Sequence, residues 1–148
     1  MGTKKYPMLE KERKFMLKYL PEGLTPVEIK QGYLMIKGRK NLRVRIVNDE
    51  TATMTYKVSL RKGVKDEFEY SVPLEDAYEM YKKAEKKLEK TRYKTKFNGN
   101  TIDIDVYPDG LKVVEIEYEN ELKKGDIPDY CGAEITGISK YSNTKIAK

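Results

Sequence analysis

Apolar and polar residues alternate along most of the chain, in short runs broken by glycine, proline and asparagine. Strict alternation is the period-two signal of a half-buried strand. It predicts strands near residues 6–17, 29–37, 42–48, 52–60, 66–72, 91–98, 101–107 and 111–119. The breaks fall at Pro21-Glu22-Gly23, Lys62-Gly63, Asn98-Gly99-Asn100, Pro108-Asp109-Gly110 and Lys124-Gly125-Asp126, residue types that suit turns. Asn98-Gly99 between two alternating runs predicts a tight hairpin. One stretch departs from alternation. Leu74, Ala77, Tyr78, Tyr81, Ala84 and Leu88 are spaced for a helix, with Glu75 and Asp76 at its start and lysines towards its end, so a helix is expected over 74–88. Thr25-Pro26-Val27-Glu28 has the form of a capping box and predicts a short helix or turn before the second strand. With no repeat, linker or low-complexity stretch, the pattern gives one domain over residues 1–148, of α+β class, antiparallel and β-rich.

Side chains two apart on a strand share a face. Sorted that way, the charges collect on one side. Acids fall at Glu10 and Glu12, Glu67 and Glu69, Asp103 and Asp105, and Glu115 and Glu117. Bases fall at Lys14, Arg43, Arg45, Lys57, Arg92, Lys94 and Lys96. An ordinary half-solvated sheet accounts for any single strand. It accounts less well for the set, because the pairs are like-signed along each strand. Such neighbours stand about 7 Å apart and repel unless opposite charge lies between them. Cross-strand ion pairs return only about 0.2–1 kcal/mol each. A closed eight-stranded antiparallel β-barrel with its charged faces inward explains the pattern better, with helices covering the apolar outer faces. Paired acids suit hard divalent cations with oxygen ligands, and arginines and lysines suit phosphate. Together they suit a metal-bridged polyphosphate.

Composition narrows the chemistry. The chain of 148 residues carries a formal net charge of +6 and has no histidine. That removes Ser-His-Asp triads, Cys-His dyads and imidazole metal sites. A general base must then be a carboxylate, lysine, tyrosine or metal-bound hydroxide. The single cysteine, Cys131, forms no internal disulfide and suits a reducing, cytoplasmic setting as a packing residue. The longest apolar runs span a few residues, as at Leu34-Met35-Ile36, so no membrane-crossing helix is expected. Met1-Gly2-Thr3-Lys4-Lys5 lacks the apolar core of a signal peptide. Net charge alone would allow nucleic-acid binding, but Lys82, Lys83, Lys86 and Lys87 share their segment with Glu79, Glu85 and Glu89. A solvated helix face fits them better. Gly38-Arg39-Lys40 reads as a basic lip or an exposed turn.

Glu10-Lys11-Glu12-Arg13-Lys14 is an E-x-E-x-K motif on a strand. It is followed in order by Ile29-Lys30-Gln31-Gly32-Tyr33-Leu34, Leu42-Arg43-Val44-Arg45-Ile46 and Thr55-Tyr56-Lys57. Then come Glu67-Phe68-Glu69-Tyr70, Lys90-Thr91-Arg92-Tyr93, Ile104-Asp105-Val106, Val114-Glu115-Ile116-Glu117, Gly132–Gly137 and Tyr141-Ser142-Asn143. This ordered set closely resembles the CYTH, or triphosphate tunnel metalloenzyme, superfamily, from about Tyr6 to the C-terminus. The resemblance implies an eight-stranded triphosphate tunnel and a divalent-metal-dependent triphosphatase using Mg2+ or Mn2+. It implies metal ligands among Glu10, Glu12, Glu69, Asp103, Asp105, Glu115 and Glu117, with the choice between Asp103 and Asp105 open. It implies phosphate binding by Lys14, Arg43, Arg45, Lys57 and Arg92, and Lys14 with Tyr33 as a catalytic pair. Glu67 and Glu69 match mid-tunnel acids that orient bases or a second metal.

Within that family, Gln31-Gly32-Tyr33-Leu34 and Tyr141-Ser142-Asn143 look most like small bacterial inorganic triphosphatases. The cyclase branch carries His-Phe where Lys4-Lys5 stand here, and no appended helical domain is expected after Lys148. The reading is hydrolysis of tripolyphosphate to pyrophosphate and phosphate by a monomer or homodimer, without nucleic-acid or membrane partners. Metal-activated water stands ahead of Lys14 as the attacking group. The alternatives are nucleoside or thiamine triphosphate hydrolysis, class IV adenylyl cyclase activity, and a non-catalytic module that binds polyphosphate or nucleotide.

Overall fold

A computed structural model describes residues 5–148. Lys4 and most of the N-terminal segment read for a signal peptide lie outside the described residues. The eight alternating runs form β1 (Met8–Leu17), β2 (Pro26–Lys37), β3 (Lys40–Val47), β4 (Thr51–Arg61), β5 (Val64–Ser71), β6 (Lys86–Phe97), β7 (Asn100–Val106) and β8 (Lys112–Glu117), and a short strand that the alternation does not predict follows, β9 (Cys131–Glu134). The first eight run antiparallel in the order β5-β4-β3-β2-β6-β7-β8-β1, and β1 pairs back onto β5. The sheet is therefore a closed ring with no free edge among these eight strands.

Strand β1 closes the ring by dividing its length. Met8–Lys11 pair with β5, and Glu12–Met16 pair with β8. Short β9 joins β1 at Phe15 and Leu17. The expected hairpin is present: Asn98 and Gly99 take φ of +50° and +79°, which a two-residue primed turn requires. Strand directions put the β2–β3 and β4–β5 turns at one end of the ring and the β6–β7 turn at the other.

Residues directly opposed in a ladder share a face. The registers pair Glu12 with Glu117, Lys14 with Glu115, Glu115 with Asp103, Asp105 with Arg92, Gln31 with Arg45, and Lys57 with Glu67. One continuous charged face thus lines the lumen. The apolar residues between them face outward. Val44, Ile46 and Ala52 pack under α1 (Leu74–Lys83) through Ala77. Phe15, Ile102, Ile104, Val114 and Ile116 pack under the segment after β8, with Leu122 and Cys131. Cys131 thus belongs to this outer core rather than to the lumen. A third cluster, Tyr33, Leu88, Tyr107, Val113, Ile135 and Ala147, packs the C-terminal strap onto the ring.

Two expectations are corrected. The helix ends at Lys83, not Leu88, and residues 86–90 belong to β6. Ala84 is extended, and the Glu85 amide donates to the Tyr33 carbonyl. Sheet pairing with β2 thereby takes the chain from the helix, and Leu88 satisfies both periodicities at once. No helix forms at Thr25–Glu28, because β2 begins at Pro26 and pairs from there with β6.

Helix α1 lies close on β2 at Gly32. A Cβ there would stand 2.9 Å from Ala84 Cβ and 3.1 Å from Tyr81 Cδ1. Gly32→Val should therefore cost about 1–3 kcal/mol of stability, read as a lowered urea midpoint with an unchanged slope.

Candidate active site

The ring encloses a cavity of about 660 Å³. Its walls carry Glu10, Glu12 and Lys14 from β1, Arg43 and Arg45 from β3, and Lys57 from β4. They continue with Glu67 and Glu69 from β5, Arg92 from β6, Asp103 from β7, and Glu115 and Glu117 from β8. Each follows from period-two alternation on a closed ring, which sends every second side chain into the same volume.

One wall is acidic. Oxygen atoms of Glu10, Glu12 and Glu117 lie within 4.8 Å of one another. Burial raises the Glu10 carboxyl, but Lys57 and Lys65 outweigh it and hold it at about 2; the Lys57 ammonium stands 3.2 Å from Glu10 and 3.4 Å from Glu67. Burial, then Glu115 and Glu10, push Glu12 well above its usual value. On Glu115, burial is overcome by Lys14, Lys90 and Arg92, which drive it well below. Burial, then Glu10, Asp103 and Glu115, raise solvent-facing Glu117 to about 7. Asp103 Oδ1 and Glu115 Oε1 are buried without a hydrogen-bond partner. A wall of mutually repelling carboxylates with unpartnered oxygens fits a hard divalent cation.

The facing wall is basic. Arg45 donates from Nε to Gln31 at 2.8 Å. Burial, then Arg43 and Arg92, press its pKa to about 9. Arginine stays protonated in proteins, so an anion beside these guanidiniums would be well placed. Arg43 Nε is likewise buried and unpartnered. Arg92 is the hub between the walls. It is bidentate to Asp105 at 2.7 and 2.9 Å, 3.3 Å from Asp103 and 3.7 Å from Glu115.

Three sequence expectations change. Asp105 does not border the cavity: Arg92 and Lys90 occupy its oxygens, the latter at 2.8 Å. Tyr33 does not partner Lys14. Its hydroxyl accepts from Gln31 at 2.7 Å, while the Lys14 ammonium donates to the Tyr141 carbonyl at 3.2 Å. Glu69 borders the cavity apart from the three-carboxylate cluster and accepts from Thr55 at 3.0 Å. Two residues escaped the sequence reading. Lys90, whose ammonium is fully buried, was legible as the next inward step before Arg92, had the strand been started earlier. Burial, opposed by Asp105, pulls it down to about 7. Lys65, 4.0 Å from Glu12, continues the alternation of Glu67 and Glu69.

The raised Glu117 has a measurable consequence. Its folded form keeps a proton that the unfolded chain, at 4.5, has lost. Stability of the metal-free protein should therefore fall as pH rises from 4.5 towards about 7. Urea unfolding with chelator present should show that fall, and Glu117→Gln should make it shallower.

Comparison with known proteins agrees with this geometry. The CYTH domain family matches residues 8–136. An inorganic triphosphatase of Acetivibrio thermocellus is 34% identical, over 94% of this chain and 93% of that protein. The crystal structure of the inorganic triphosphatase NE1496 superposes with a TM-score of 0.66 at 29% identity, covering 93% of this chain and 97% of that one. A conserved hypothetical protein of Pyrococcus furiosus superposes with a TM-score of 0.63 at 25% identity, over 79% and 83%. With its ordered motifs on a closed antiparallel ring and charged walls facing each other across the lumen, the chain belongs to the CYTH domain family.

Proposed function

We propose that this protein hydrolyses inorganic tripolyphosphate to pyrophosphate and phosphate within the ring, with Mg2+ or Mn2+ as cofactor. The observation that carries the reading is one cavity bordered by a three-carboxylate cluster and, facing it, by Arg43, Arg45 and Lys57. Relatives named inorganic triphosphatases support the choice of substrate.

Glu10, Glu12 and Glu117 would hold the cation, with Asp103 and Glu115 beside them. A divalent cation there supplies neutralisation of phosphate oxygens and a more acidic bound water. The chain's own part is positioning. Arg43, Arg45, Lys57 and Lys14 bind phosphate oxygens, and Arg92 fixes the geometry between phosphate and acids. Asp105 and Lys90 hold Arg92 in place, and Thr55 holds Glu69. We assign Lys14 to phosphate binding rather than to a base pair with Tyr33. The ring's own charged groups set both affinity and alignment, as phosphoryl transfer demands. Among the described residues no helix is long and apolar enough to cross a membrane, and buried, unpaired Cys131 suits a reducing cytoplasm.

The test is phosphate release from tripolyphosphate, ATP and thiamine triphosphate, with Mg2+, with Mn2+ and with chelator. Tripolyphosphate should be cleaved fastest, and chelator should stop turnover. Glu12→Gln should lower kcat about 100-fold or more, and Arg45→Ala should raise KM. Absence of metal-dependent release from tripolyphosphate would overturn the reading.

A further inference from the structure

Four cations at one end of the ring have no part in the site above. Arg39 lies in the β2–β3 turn with Lys40 just after it, and Arg61 ends β4 with Lys62 just after it. All four are exposed, and all border the same cavity as Arg43 and Arg45. None forms an ion pair among the described residues. Glu134 feels Lys62, yet Arg13 already grips that carboxylate at 2.7 and 2.9 Å.

The collar is preformed. The Ser59 amide donates to the Arg39 carbonyl at 2.8 Å, tying the β2–β3 turn to β4. The Glu12 amide donates to the Gly63 carbonyl at 2.9 Å, tying the second turn to β1. Gly137, at φ +74°, lies against the Lys62 stem, where a Cβ would meet Cγ at 2.9 Å. The backbone that carries these cations is therefore held in place before an anion arrives.

Spacing says what they reach. Arg39 stands four residues from Arg43, and Arg61 four from Lys57, about 13 Å along a strand in each case. The collar therefore continues the lumen's phosphate-binding series outward. A triphosphate held by the lumen cations would end short of it. A nucleobase has little to bind there. Tyr33 is the aromatic residue bordering the cavity among the described residues, and it is buried, so no exposed ring offers base stacking.

We infer that Arg39, Lys40, Arg61 and Lys62 form an outer subsite for the trailing phosphates of linear polyphosphates longer than tripolyphosphate. The inference rests on the proposal that a phosphate chain occupies the lumen. Longer chains engage lumen and collar together, and the second contact gains from the first.

The test is titration calorimetry with chelator present, comparing tripolyphosphate, a longer linear polyphosphate and ATP. Wild type should bind the longer chain at least about tenfold more tightly than tripolyphosphate. Arg39→Ala, Lys40→Ala, Arg61→Ala and Lys62→Ala combined should reduce that ratio to within about twofold. A variant losing equal charge elsewhere, Lys83→Ala, Lys86→Ala, Lys112→Ala and Lys124→Ala combined, should keep the ratio. All eight positions are exposed, so folding of both variants is readily checked. Equal loss in both variants would mean general charge attraction and overturn the inference. So would tighter binding of ATP than of the longer chain, or no length preference in wild type. Tripolyphosphate binding without a length preference removes the collar alone, whereas failure to bind tripolyphosphate removes the lumen reading as well.

Discussion

Charges brought out of water must find opposite charges, or the fold does not hold. The lumen meets this condition with a network rather than with isolated pairs. Arg92 ties Asp105, Asp103 and Glu115 together, Lys90 completes Asp105, and Lys57 bridges Glu10 and Glu67. What the network leaves over is informative. Arg43 Nε, Asp103 Oδ1 and Glu115 Oε1 stay buried without a hydrogen bond. The acids left over and the cations left over stand on facing walls, and a metal-bound phosphate chain supplies the complement to both.

The outer face answers a different demand. Alternation that sends charge inward sends Val44, Ile46, Ile102, Ile104, Val114 and Ile116 outward, where water would meet them. Helix α1 covers one side of the ring and the segment running to Cys131 covers another. This is a barrel turned inside out relative to an ordinary apolar-cored one. The jacket supplies the apolar burial, and the lumen carries the charges on which the chemistry depends.

Much of this was legible in the alternation. The eight ring strands, the Asn98-Gly99 turn and the inward charged face follow from period two and turn chemistry. The boundary at residues 84–90 was not, because Ala84 and Leu88 suit helix and strand equally, and pairing to Tyr33 decides the outcome. Losing that boundary also lost Lys90. The C-terminal strap carries no periodic signal, so Tyr141 as the partner of Lys14 was invisible. Asp103 and Asp105 share a face by parity, and only the third dimension shows Asp105 consumed by Lys90 and Arg92. The family resemblance located the acidic and basic sets, while the structure separates residues that border the cavity from those that brace it.

The divided pairing of β1 bears on how the chain reaches its folded state. Strand β1 finds its partners in β5, β8 and β9, the last of them more than a hundred positions downstream. Contacts so distant in sequence slow folding, and the ring cannot close until β8 has emerged. Until then Glu10 and Glu12 lack Glu117, the third carboxylate of their cluster. The acidic cluster is thus a product of the final closing step, and a nascent chain lacking β8 has no such cluster to offer a cation.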